Sequence, residues 1–321
     1  MSMKMFWTIV MGSALALFSQ TAVNLNPDNY AVGSTFTNRT IDSLFFDPGP
    51  SGAGSWNLSG FTGGRTDSLT AVAYSASIPH IGECFLTPNY IPYFRNETDT
   101  SVTEGWAFYR VESPTIIPLG LWGTFDVETG NDASLSAIDV AHTPAFTFPV
   151  HYLDNWVEAS NGGGRITYGA LVTINYSYND TTWHRVDGYG LVTTPIGTFQ
   201  TLRLKNFNKR HSWSSHIIWG FDKTERKYSY SWICTEAGIL ATFTGPIDST
   251  GGIPDSNFTL GTLAFQVNNS SMGMEEHSER PSALSLSARP NPFNSAVTIE
   301  APLASRLEIF DISGRPVRDL S

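Results

Sequence analysis

A small set of residues carries whatever chemistry this chain performs. Its seven histidines are His80, His142, His151, His184, His211, His216 and His277. His211 and His216 flank "SWSS", where an imidazole base beside a serine would make a nucleophile. No G-x-S-x-G elbow is present to expose such a serine, and polar residues on a strand or loop explain the stretch as well. Asp126 and Glu128 in "GTFDVETG" fall on one face of a strand, and Glu104 or Asp139 across a cleft would supply the opposed acids of a glycoside hydrolase. Solvated strand edges account for these acids too. "HIGEC" offers His80 and Cys84 with no second ligand cluster, so no metal is expected. Without a Walker loop or a G-x-G-x-x-G fingerprint in a βαβ pattern, no nucleotide cofactor is expected either.

Aromatic residues are the richest binding signal. "YIPYF", "LGLWGTF" and "HSWSSHIIWGF" place Tyr93, Trp122, Trp213 and Trp219 beside polar or glycine-rich stretches, where rings can stack on sugars or line a lipid-accepting cleft. The competing reading is that most of these rings fill a large β core. Cys84 and Cys234 form a disulfide if the fold brings them together in an oxidising compartment, and otherwise are two small buried residues.

These residues need elements to hold them. Charged residues make up 15% of the 321 and aromatics 13%, with 28 glycines and 18 prolines, a balance that suits many short strands and turns. The formal net charge of −10 and the lack of a basic stripe argue against a nucleic-acid partner. Lys4 followed by the apolar run Met5 to Phe18 reads as a signal peptide over residues 1–22, too short to span a bilayer as an anchor. No later stretch is apolar and long enough to be a transmembrane segment.

Residues 23–267 alternate at near period two in "SLTAVAYSAS", "GWAFYRVE", "RITYGALVTINYSY", "HRVDGYGLVTT", "FQTLRLKNF", "KYSYSWIC" and "GILATFTG", all read as strands. "TPIGTF" and, less tightly, "NGGGR" read as turns between them. The expected fold is all-β, a large antiparallel β-sandwich or bent-sheet domain. Residues 268–283 are polar and aperiodic and read as a linker.

"GAGSWNLSGF", "FTFPVHYLDNW", "VDGYGLVTTPIGTFQTLRLK" and "YSWICTEAGILATF" together resemble a group of secreted all-β proteins from Bacteroidetes-like bacteria. Only the D-G-Y-G to P-x-G-T-F stretch is specific, and the group implies no activity. Residues 284–321 resemble the C-terminal sorting domain of the type IX secretion system, on "RPNPFNSAVTI" with Pro290, Asn291, Pro292, Phe293 and Asn294, and on "LEIFDISGRPVRDL" with its turn at Gly314. The same pattern occurs in the immunoglobulin-like domain of flagellar hook-scaffolding proteins. The prolines cannot donate hydrogen bonds and hold the chain extended at a strand entrance. The resemblance implies a partial immunoglobulin-like β-sandwich tail, incomplete at Ser321, whose partner is the outer-membrane secretion machinery, and hence a secreted or cell-surface protein.

The expected function is a non-catalytic module binding an extracellular polysaccharide or another envelope component through Trp122, Trp213, Trp219 and Tyr93. A two-carboxylate hydrolase is one alternative. The other is a lipid-binding half-barrel, which requires an apolar cavity of several hundred Å³.

Overall fold

The computed structural model describes residues 22–97, 102–127, 131–168, 172–218 and 220–270, and four short strands after them. The chain divides into two compact units, Met1–Met272 and Gly273–Ser321. Strands of the first are β1 (Ala22–Val23), β2 (Thr35–Phe45), β3 (Gly52–Asn57), β4 (Arg65–Ala71), β5 (Pro92–Glu97), β6 (Val102–Glu112), β7 (Thr115–Val127) and β8 (Asn131–His142). There follow β9 (Phe146–Thr147), β10 (Val150–His151), β11 (Asn155–Tyr168), β12 (Val172–Thr194), β13 (Gly197–Ser214), β14 (Phe221–Cys234), β15 (Gly238–Thr244) and β16 (Leu260–Asn269). The second unit holds β17 (Ser287–Arg289) paired with β18 (Thr298–Glu300), and β19 (Glu308–Phe310) paired with β20 (Pro316–Asp319), both antiparallel. Among the described residues no helix is long and apolar enough to cross a membrane.

The fold is all-β, but the large domain is neither a sandwich nor an open bent sheet. Twelve strands pair in the order β11-β8-β7-β6-β5-β4-β2-β16-β15-β14-β13-β12, and β11 pairs again with β12 to close a barrel. Closure satisfies both edges of every ring strand, which an open sheet cannot do. β12 is long enough to share one edge between two partners: residues 172–185 pair with β11, and residues 188–193 pair in parallel with β3.

Side chains alternate between lumen and exterior along each strand. On β13, Leu202 and Leu204 face inward with Val186, Ile233, Val23 and Val150. Arg203 and its cross-strand partner Trp232 face outward and are nonetheless almost fully buried, because β3 and its flanking loops cover them. There Trp56, Trp232, Phe243 and Phe265 form an outer core, and each fully buried large side chain contributes about 1.5–3 kcal/mol. The D-G-Y-G stretch explains this cover. Asp187 forms a buried ion pair with Arg203 at 2.9 Å, while Gly188 and Gly190 lie opposite Gly52 and Gly54 of β3. Arg203 also donates to the carbonyls of Pro48, Gly49 and Pro50. A second outer core, Ile81, Ile91, Phe108, Leu119 and Ile138, lies on β6 to β8 under the segment before β5.

Two turn assignments part ways. "TPIGTF" is the β12–β13 hairpin, with Thr194 opposite Gly197. "NGGGR" lies inside β11, which ends at Tyr168 opposite Val172 of β12, so what reads in sequence as one long strand belongs to two. The glycines are there for space. A Cβ on Gly162 would run into the Ile138 carbonyl oxygen and stand 2.6 Å from the Tyr178 hydroxyl, and one on Gly164 would run into the Ser136 carbonyl oxygen and stand 2.7 Å from the Tyr176 hydroxyl. Both rings cross β11 to reach β8, Tyr176 donating to the Ser136 carbonyl and Tyr178 to Asp139.

Candidate functional site

The inward face of β12 sets the layout of the lumen. Reading along it, Ile174, Tyr176 and Tyr178 give way to Asp180, Thr182 and His184, and then to Val186, so an aromatic zone, a polar zone and an apolar zone follow one another. In the polar zone, side chains from five strands form a continuous hydrogen-bonded chain. Tyr178 donates to Asp139 Oδ1 at 2.7 Å, and Asp139 Oδ2 accepts from His142 Nδ1 at 2.8 Å. His142 Nε2 donates to Glu158 Oε1 at 2.7 Å, and Glu158 Oε2 lies 2.9 Å from His184 Nε2. His184 Nδ1 lies 2.9 Å from Asn206 Oδ1, and the Asn206 amide reaches Ser229 and Ser231. Trp156 stacks on the His184 ring, centroids 4.7 Å apart.

Electrostatics follow from this geometry. Burial alone would lower the His142 pKa, but its bonds to Asp139 and Glu158 prevail and hold it up at about 9. Burial would likewise raise Glu158, yet the hydrogen bonds from His142 and His184 bring it down to about 2. Both oxygens of Asp139 and of Glu158 are taken, as are both nitrogens of His142. A general base needs a free lone pair within reach of substrate. Each carboxylate oxygen keeps a second lone pair, but proton transfer here would break bonds to charged or buried partners, so the network is a positioning lattice that fixes the polar zone.

Beside it is a chamber of about 200 Å³. Glu158, Asp139, His142, Tyr109, Ser160, Tyr178, Asp180, Thr182, Asn208 and Arg210 supply its polar groups, and Ala107, Pro118, Gly120, Leu121 and Ala137 complete the lining. The Arg210 guanidinium lies over the Tyr178 ring at 4.3 Å and stands 3.6 Å from Asp180, too far for a hydrogen bond. Asp180 accepts from Asn208 instead.

Ala107, Tyr109 and Pro118 also border a second cavity of about 450 Å³. Phe36, Leu69, Ile116, Phe146, Ile233 and Leu240 contribute its apolar wall, and the segment Val23–Tyr30 lies across it. Tyr30, Tyr90 and Tyr109 form a row on one side, with centroids 5.0 and 5.7 Å apart. Burial, with the neighbouring Tyr109 and Cys234, pushes the Tyr30 hydroxyl up to about 12, so it stays a neutral donor. A twelve-stranded barrel is wider than the eight-stranded size that side chains alone just fill, and room of this kind is the consequence.

The residues singled out from sequence are dispersed. Tyr93 and Trp122 share an exterior row with Trp106, each ring directly opposite the next across β5, β6 and β7. Centroid spacings of 4.8 and 5.2 Å at tilts of 34° and 38° mean that the rings pack on one another within the row. Trp213 lies far from them on β13, stacked on His211 at 4.9 Å. His211 bonds Asp222, and Ser214 donates to the Asn175 carbonyl. Glu104 accepts from Tyr93 on the exterior while Asp139 faces the lumen, so the sheet separates those two acids. Cys84 and Cys234 are free thiols in different cores, Cys84 beside the Phe108 cluster and Cys234 in the Trp232 cluster; the fold does not join them. Among the described residues no cluster could hold a metal ion. Trp219, Glu128, the Asp126 side chain, residues 1–21, Pro290 to Asn294 and Gly314 lie outside the described residues.

His142, Glu158, His184, Tyr109 and Arg210 form the luminal site and were not marked by any motif. Their signal was the period-two polar run Tyr178, Asp180, Thr182, His184 inside an otherwise apolar pattern. No family model and no curated protein matches the chain. Two solved structures align weakly with it. One is a Bacteroides fragilis protein inferred to be exported, with a YmcC-like fold, at 11% identity and TM-score 0.32, covering 78% of this chain and 99% of that one. The other is a Parabacteroides distasonis protein inferred to be a lipoprotein, at 11% identity and TM-score 0.31, covering 78% and 100%.

Proposed function

We propose that this chain is an exported, non-catalytic carrier whose barrel lumen binds a single-chain apolar or amphiphilic ligand. The observation that carries this reading is the cavity of about 450 Å³, walled mainly by apolar side chains of the barrel strands. Its volume lies within the roughly 300–1,000 Å³ of small-molecule sites. Export rests on the signal-peptide pattern of residues 1–22 and on the likeness of residues 284–321 to a sorting domain. Against hydrolysis stands the self-satisfied network of Asp139, His142 and Glu158. The exterior row of Tyr93, Trp106 and Trp122 packs ring against ring, and Trp213 lies apart from it on β13, so the aromatic residues do not gather on one surface.

Ala107 borders both chambers and tests the assignment. A naphthyl- or anthroyl-labelled fatty acid is expected to brighten on binding the parent chain and to be displaced by unlabelled decanol. Ala107→Trp, which places an indole in the lumen, is expected to weaken binding at least tenfold, the equivalent of about 1.4 kcal/mol, while the far-ultraviolet circular dichroism stays β-type. Equal binding by parent and variant, or none by the parent, would overturn the luminal reading.

A further inference from the structure

We infer that the ligand's head is an uncharged polyhydroxylated group, a sugar or a glycerol, seated in the polar chamber while its tail occupies the apolar cavity. The inference rests on the luminal reading above and adds the chemistry of the head. The two spaces adjoin at Ala107, Tyr109 and Pro118, and one elongated molecule reaching past Tyr109 would occupy both.

Three features of the chamber select the head. The first is size, since about 200 Å³ is far more than a bare carboxylate or ammonium needs. The second is the supply of partners. Among the described residues the hydroxyls of Tyr109 and Ser160 and Nη2 of Arg210 have no hydrogen-bond partner, the Thr182 hydroxyl only accepts, from Asn208, and the Asn208 carbonyl oxygen is unused. Donors and acceptors therefore both remain open, the mixture that hydroxyl groups, each donating and accepting, satisfy. The third is charge. Asp139, Glu158 and Asp180 stand against Arg210 and His142, which disfavours an anionic head. A cationic head meets the opposite obstacle, because the oxygens of Asp139 and Glu158 are already bonded and the Arg210 guanidinium occupies the same space.

The test holds the tail constant and varies the head. Calorimetric titration of the full chain, below micelle concentrations, would compare decyl glucoside, monodecanoylglycerol, decanol, decanoate and decyltrimethylammonium. At least one polyol-headed ligand is expected to bind about tenfold or more tightly than the other three, since each buried polar group it pairs would otherwise go unmatched. Whichever of the two is tighter identifies the head as sugar or glycerol. The double variant Tyr109→Phe with Ser160→Ala should lose that preference and keep its affinity for decanol. Equal affinities for all heads, or a preference for decanoate or the ammonium, would overturn the inference and leave the luminal reading standing. Failure of every decyl compound to bind would overturn both.

Discussion

His142 occupies a position where two carboxylates outweigh burial, and the consequence is measurable as stability. Its pKa of about 9 in the folded chain exceeds the ordinary 6.5, so its bonds stabilise fully below about pH 6.5 and are lost as pH rises through 9. Glu158 runs the other way. Held at about 2 against 4.5, it contributes above pH 4.5 and loses that contribution as pH falls through 2. Stability from this pair should therefore plateau between roughly pH 4.5 and 6.5 and fall on both sides, by on the order of 2–3 kcal/mol counted once for the shared bonds. Urea midpoints at about pH 6, 8 and 9.5 are expected to decline for the parent chain, whereas His142→Gln should be less stable at the lowest of these and nearly flat across them. An equally steep decline in the variant would show that some other group governs the alkaline limb. The histidines were visible in the sequence as residue types. What could not be read was that His142, Glu158 and His184, separated by turns, come from three strands to one level of a closed lumen.

Period-two alternation marked most of the long strands, because a strand exposed on one side and packed on the other must alternate. It misled where a glycine run served packing and not turning. Gly162 and Gly164 look like punctuation in sequence, yet a Cβ at either would meet the β8 backbone first and then the hydroxyl of Tyr178 or of Tyr176, the groups that bond Asp139 and Ser136. Gly162→Ala should force the Tyr178 ring or the backbone aside and cost about 1–3 kcal/mol, read as a lower urea midpoint. Gly163→Ala is the control on the same element. Its Cβ would meet only the Tyr176 carbonyl, at 3.1 Å, and a smaller loss is expected. Equal losses from both substitutions would point to strand propensity as the cause and remove the packing explanation. The D-G-Y-G stretch shows the reverse case. It was recognisable as specific, while its use, seating β3 and pairing Asp187 with Arg203, depends on a strand more than a hundred residues earlier and is invisible locally.

Closure is a property of the whole ring. Any one of the twelve strands reads the same in a sandwich, an open sheet or a barrel, and only the second pairing of β11 with β12 separates the three. Sequence patterns fix which face of a strand is apolar; how many strands intervene before the sheet meets itself depends on stagger and tilt accumulated around the ring. The cavity was equally hidden, since it arises from circumference and not from a motif. A ring that closes on its own strands should not need the residues that follow it. β16 ends at Asn269, and the backbone bond from Ser270 to the Thr35 carbonyl is at the edge of the ring, before the second unit begins at Gly273. A chain ending at Met272 is therefore expected to unfold in one transition within about 2 °C of the parent's, less than the shift that a 1 kcal/mol loss produces in a domain of this size. A larger fall would mean that the last 49 residues stabilise the barrel, since 321 less 272 is 49, and that the ring is not the independent folding unit its hydrogen bonding describes.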